Sequence, residues 1–373
     1  MNARLFFLPL LLLVFPVLAQ QATLFPVQIK GKWGYTNKEG QLTIKAVYDY
    51  AENFHEGLAV VALANQPCVI DVTNKRIVDT GLYANIQRFS EGLAKVTDFN
   101  QQSHFINAYG KIVFTLPADI YDARPFKMGL SCVSKSVDLH ETKFQHDIVT
   151  AGYKFGYVNT KGVLTIPVKF DDADDFEYGL ARFRDYKRFG LIDTLGNIVV
   201  NAIYSNIGRF FEGKAVVDKG GSYGYINLQG VEVIVPTYQY CYDFSEGMAG
   251  FRMNNKYGFL NEEGKIAIEA QYDAIRPFSQ GLAAVKLNGK WGFINKSGKL
   301  VLRHVFDDAT IFVDDRCPVL VKRKWGFIDQ TGVLVIPADF DAVGTFSHGL
   351  AEVMIGNTGV FVNKGGMLLP ILK

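Results

Sequence analysis

Cysteine is scarce in this 373-residue chain: Cys68, Cys132, Cys241 and Cys317 are the only four, and no two form a C-x-x-C pair. That spacing supports neither a zinc site nor a redox dithiol. The four mostly occupy different phases of the repeat described below. They form no disulfide ladder and read as small buried hydrophobes. A dominant charge is missing too. Lysine and arginine total 39 against 37 acidic residues, no basic stripe gathers, and no nucleic-acid partner is expected. There is no P-loop and no G-x-G-x-x-G opening a helix. The six histidines are scattered, with no nucleophile evident beside them. No helical period is visible.

What is present begins with a leader. Arg4 is the only charge in the first 19 residues, and Leu5 to Leu18 is an apolar run broken by Pro9 and Pro16. The run is shorter than the about 18 to 20 residues a spanning helix needs. Val17-Leu18-Ala19 puts small residues where a signal peptidase reads, so residues 1–19 are expected to be a signal peptide cleaved after Ala19. The mature chain, residues 20–373, has no later segment that could span a membrane as a helix. It is expected to be secreted, periplasmic or held at the cell surface. Export permits disulfides.

The rest is organised by K-W-G-F-I-N-K-S-G-K, Lys290 to Lys299. Its closing Asx recurs at Asn37, Asp71, Asn107, Asn159, Asp193, Asn227, Asn261, Asn295, Asp329 and Asn363. From Asn159 onward every step is the same as that from Asn261 to Asn295. A fixed period of this length means an array of one supersecondary unit. Three residues after nine of these markers stands Gly, and after Asp71 stands Asn74. Both residue types tolerate positive φ. An Asx, two polar residues and a positive-φ residue predict a hairpin loop with a type I turn and a G1 bulge.

After the second strand comes a connector with two aromatic anchors. The first is Tyr48, Tyr83, Tyr121, Phe170, Tyr204, Tyr238, Tyr272, Phe306 and Phe340. The second is phenylalanine throughout: Phe54, Phe89, Phe126, Phe176, Phe210, Phe244, Phe278, Phe312 and Phe346. Such regularity is expected of a ring buried between successive units, at about 1.5 to 3 kcal/mol each. A third strand follows and turns back into the next W-G strand. The mature chain opens with such a strand at Leu24 to Ile29 and ends with the other two. Cut there, it holds ten three-stranded antiparallel meanders. The expected fold is all-β, an open solenoid or superhelix of about 34-residue units, with a closed propeller-like ring as the alternative.

One interruption breaks the rhythm. Gly129 stands much further from Gly156 than Gly281 does from Gly292, the usual separation. The excess predicts an extended hairpin at about 134–153, with His140, Glu141, Lys143 and His146 as its candidate binding residues. Insertions in arrays tend to sit on a binding face. The H-E-x-x-x-x-H spacing does not reproduce the H-E-x-x-H zinc motif. The acidic clusters Asp171-Asp172 with Asp174-Asp175, and Asp307-Asp308 with Asp314-Asp315, contain no D-x-D-x-D-G loop. They read as turn formers. So do Glu56, Glu91, Glu212 and Glu246 of the S-E-G motif, expected to act locally because they recur.

The pattern K-W-G-[FY]-I-[ND]-x-x-G-x-x-x-I-P followed by Y-D-x-A-x-x-F-S-E-G-L-A-x-V resembles the WG repeat, over about residues 24 to 370. Trp33, Trp291, Gly292, Trp325, Gly326, Tyr48-Asp49, Phe54 and Glu56-Gly57 carry the resemblance. Phe155, Phe189, Tyr223 and Tyr257 replace the tryptophan elsewhere, and the second and third units depart further, with Pro67-Cys68 and Ser103-His104 at W-G. The resemblance implies an all-β repeat with an interaction role and no catalytic residues to carry over.

In a strand Trp291 and Phe293 face one way, and Gly292 and Ile294 the other. Gly292 is expected to admit a neighbouring backbone or ring. Trp33, Phe54, Phe176, Phe210, Phe244, Phe278, Trp291, Gly292, Trp325, Gly326 and Phe346 are therefore read as repeat core, with an aromatic row for stacking on sugar rings as the other reading of the tryptophan position. Neither cofactor nor metal nor catalysis is expected. The expected function is an exported binding scaffold for a protein or peptide, the alternative a glycan or cell-wall binder.

Overall fold

The computed structural model describes residues 24–38, 40–143 and 146–369, and describes no side chains for 138–151. The leader expected at 1–19 lies outside the described residues. The chain divides into two compact units, the boundary falling between Lys169 and Phe170.

Every regular element among the described residues is a strand, and the strands group into ten antiparallel sheets in chain order. The sheet containing Trp291 shows the plan. Leu282–Leu287 pairs with Lys290–Asn295, and Lys290–Asn295 pairs with Leu300–Phe306. The unit differs from the expected three strands by one. Ala274–Ile275, from the connector, pairs with Leu282–Leu287 as a fourth, outer strand. Nine of the ten described sheets have such a strand; the first, Phe25–Ile29, Lys32–Thr36 and Leu42–Tyr48, does not. The cause is backbone satisfaction. The connector carries Ile275 into the core at 3% exposure, and its N–H groups then need partners. Asp273 and Arg276 donate theirs to the Lys286 and Ala284 carbonyls at 2.9 and 2.8 Å. Two residues are too few to show an alternating pattern, so this strand is invisible to periodicity.

The Asx turns form in all ten units. The Asn295 backbone closes the loop with Gly298 and Lys299, and its side-chain Oδ1 accepts from the Ser297 and Lys299 amides at 3.2 and 3.0 Å. Asp329 and Asn107 do the same. The residue three positions on has positive φ throughout, including Asn74 at 68°.

Cores lie between consecutive sheets within each unit. One packs Phe259, Ile268 and Tyr272 of one sheet against Ile275, Phe278, Ala283 and Val285 of the next. The connector phenylalanine meets the aromatic of the preceding middle strand, edge to face, in Phe259–Phe278, Phe293–Phe312 and Phe327–Phe346, with centroids 4.8, 5.3 and 5.0 Å apart. Phe176, Phe244, Phe278 and Phe346 are buried, while Phe54 and Phe210 are half-buried. Of the first anchors, Tyr48, Phe170, Tyr204, Tyr272, Phe306 and Phe340 are buried. Tyr121 is not: it is 67% exposed. It stands five residues before its phenylalanine where Tyr48 stands six before Phe54, and that offset turns it off the core face.

The fourth sheet is the exception in shape. Its two inner strands, Leu130–Lys143 and His146–Asn159, are 14 residues each and pair along their whole length. Its outer strand, Ile120–Ala123, pairs only as far as Lys135.

Candidate functional site

Most of the recurrent polar groups are engaged within the array. The S-E-G turn is a two-residue turn with positive φ at both positions, 54° at Glu246 and 76° at Gly247. Two successive left-handed residues point two N–H groups the same way, a nest for an anion. The occupant is the glutamate of the preceding unit. Glu56 accepts from Glu91 and Gly92 at 2.6 and 2.8 Å, Glu91 from Met128 and Gly129 at 2.6 and 2.8 Å, and Glu246 from Gln280 and Gly281 at 2.6 and 2.9 Å. The expected local role is therefore corrected. Each of these carboxylates joins its turn to the next one, and the glutamate recurs because an anion suits the nest that follows.

The Y-D aspartate is a second staple. Asp307 takes an ion pair from Lys290 on one oxygen and the Lys322 amide on the other at 2.8 Å. Asp49, Asp273 and Asp341 repeat it with Lys32, Lys256 and Lys324. These lysine contacts hold each of the four carboxyls below the usual carboxylate range. The acidic clusters dissolve into such contacts. Asp171 accepts from the Tyr186 amide at 2.5 Å, Asp174 pairs with Arg182, and Asp314 with Lys364. Among the described residues no group of three or more His, Cys, Asp or Glu could hold a metal.

At the tryptophan position the ring lies under cations. Arg276 and Lys286 stand 5.1 and 6.0 Å from the Trp291 ring, and Arg252 stands 5.6 Å from Tyr257. Trp291 is 4% exposed, whereas Trp33 and Trp325 are half-buried. The adjacent glycine admits backbone, and specifically its own sheet's. A Cβ on Gly292 would lie 2.6 Å from the Leu302 carbonyl oxygen, and one on Gly326 2.7 Å from that of Ile336. The closing strand bulges there: Trp291 pairs with Phe306 but Phe293 with Leu302. The four cysteines are buried thiols outside any disulfide, and burial pushes the Cys241 and Cys317 thiols up to about 12.

Against this regular background the fourth sheet stands out. At the foot of its long hairpin is a cavity of about 220 Å³ lined by Tyr121, Asp122, Arg124, Cys132, Ser134, Tyr153 and Phe155. Ser134 pairs across from Phe155, the place Lys286 holds opposite Trp291 and Arg252 opposite Tyr257. A short side chain there leaves the volume unfilled. Tyr121 and Tyr153 stack at a tilt, centroids 4.7 Å apart, and the Tyr121 hydroxyl beside it holds Tyr153 above the ordinary tyrosine range. Arg124 lies 5.8 Å from the Phe155 ring, and Asp122 takes an ion pair from Lys95. Sequence reasoning missed these residues as a site. The signal was Ser134 at a position that is basic in three related units, at Arg184, Arg252 and Lys286. The hairpin residues it did single out, His140, Glu141, Lys143 and His146, have side chains outside the described residues; their backbone forms the two paired strands.

Comparison with known proteins agrees with the repeat. The family model described as WG containing repeat matches residues 33–65, 155–186, 189–223, 223–257, 257–291, 291–325 and 325–358. No curated protein matches. Among solved structures, BamB from Moraxella catarrhalis is similar at 11% identity and a TM-score of 0.32, covering 84% of this chain and 96% of that one. The WD40 beta propeller domain of Doa1 is similar at 9% identity and a TM-score of 0.26, covering 65% of this chain and 92% of that one.

Proposed function

The chain belongs to the WG containing repeat family, and we propose that it is an exported, non-enzymatic binding scaffold that engages a protein or peptide partner through its long hairpin. One observation carries this reading. Beyond Lys135, where the outer strand Ile120–Ala123 ends, the eight residues Ser136–Lys143 have a paired strand on one side only among the described residues. An unpaired edge offers a row of backbone donors and acceptors to an incoming strand. The other sheets have inner strands of five or six residues and present no comparable length. The leader expected at 1–19 supports export, and the engagement of the recurrent acids with neighbouring units supports a binding role over a catalytic one.

The test is selection from a displayed library of random ten-residue peptides on the full chain. A variant in which residues 137–152 are replaced by Asn-Gly, a sequence that closes a two-residue hairpin, provides the comparison. Selected peptides should bind the native chain and lose binding to the variant, while the thermal midpoints of the two agree within a few degrees. Equal binding to both would overturn the assignment to the hairpin.

A further inference from the structure

The cavity at the hairpin foot lies on the face of the fourth sheet, and strand addition along the hairpin edge does not require it. We propose that it is a subsite for one neutral sugar ring of a glycan. The inference goes beyond the hairpin reading and stands independently of it.

The lining of the cavity is part aromatic and part charged. Tyr153 and Phe155 are two residues apart on one strand and so face the same way, with the Tyr121 ring set 4.7 Å from that of Tyr153. Asp122 and Arg124 supply the charged part of the lining, with Arg124 5.8 Å from the Phe155 ring. Cys132 and Ser134, on the strand between, form the floor at 3% and 7% exposure. The Ser134 hydroxyl lines the cavity and can both donate to and accept from a polar guest.

A sugar ring answers each demand. Its flat C–H face buries apolar area against tyrosine. Its hydroxyls can donate to the Asp122 carboxylate and accept from Arg124 and Ser134. An aromatic peptide side chain would fit the rings and make no use of the Asp122 carboxylate or the Ser134 hydroxyl. The volume, about 220 Å³, is below the about 300 Å³ at which drug-sized sites begin, which sets the guest at a single ring. Tyr121 and Tyr153 are 67% and 43% exposed, so a ring at the end or side of a longer glycan can reach them.

The experiment is saturation-transfer NMR on the full chain with cellotriose, maltotriose and the trimer of N-acetylglucosamine, and with N-acetyl-phenylalaninamide as the competing probe. Two variants accompany it. Ser134→Arg fills the cavity with the side chain that Arg252 supplies in another sheet, and Tyr153→Ala removes an exposed platform. Unchanged urea midpoints confirm that both fold. At least one saccharide should show transfer concentrated on one ring, and each variant should weaken its binding by about tenfold. The proposal is overturned if no saccharide shows transfer at millimolar concentration. Equal binding by both variants and the native chain overturns it too. If the phenylalanine amide occupies the cavity while no saccharide does, the pocket takes a peptide side chain, the sugar assignment falls, and the hairpin reading is untouched.

Discussion

The carboxylate of Glu246 sits on the backbone of Gly281, one repeat further along the chain, accepting its N–H at 2.9 Å. The adjacent Gln280 amide adds a second bond at 2.6 Å. Charge-assisted hydrogen bonds into a left-handed pair make this stronger than an ordinary exposed contact. Glu246→Ala should destabilise the second unit by about 1 kcal/mol, within the range for one net hydrogen bond. Urea unfolding measures it. A midpoint equal to the native one would mean that water replaces the carboxylate at no cost.

The same logic predicts a gain at Tyr178. It stands one repeat before Glu212, in the place from which Glu246 reaches Gln280, and it is 66% exposed. Tyrosine has no carboxylate, and among the described residues the Glu212 and Gly213 amides have no acceptor. Tyr178→Glu should supply one and raise stability by about 0.5 to 1 kcal/mol, seen as a higher urea midpoint. A lower midpoint would show that the Tyr178 ring matters more than the empty nest.

The sequence already spelled out the turns and the ring burial, because each is a local demand. Asn295 and Gly298 satisfy a loop that they themselves close, and Phe278 recurs because every junction between sheets needs a large ring. It was silent on partnership. A fixed period shows that Glu246 has counterparts but cannot say whether each touches its own unit or the next. It was silent as well on the two-residue strand at Ala274–Ile275, and on the cavity at Ser134, which exists through a side chain that is short where others are long. Tyr121 misled for a similar reason: a one-residue offset keeps the aromatic and changes its face.

Gly292 separates space from conformation. A Cβ there would meet the Leu302 carbonyl oxygen at 2.6 Å and the His304 nitrogen at 2.9 Å, so the bulge of the closing strand would have to move. At Gly289 a Cβ would meet nothing within 4 Å, and the cost is only that of φ at +80°. Gly292→Ala should cost about 3 kcal/mol, the upper end for overpacking, and Gly289→Ala about 1 kcal/mol. Comparable urea midpoints for the two would refute the close-packing role of the W-G glycine.

Asp307 predicts the response to acid. Its carboxyl is held below its ordinary value, first by Lys290 and then by the Lys322 amide. Asp49, Asp273 and Asp341 are depressed by lysine in the same way. A group whose folded pKa lies below the unfolded one binds fewer protons when folded. Its stabilisation is therefore complete above the unfolded value of about 3.9 and is lost as pH falls through the depressed folded value. The thermal midpoint should be nearly flat from neutral pH to about 5 and drop below about 4. Asp307→Asn removes one of the four titrations. It should lower the midpoint at neutral pH, because Lys290 loses its counter-ion, and make the acid limb shallower. An acid limb as steep as that of the native chain would place the loss of stability at other carboxylates and leave the lysine staple without a role in it.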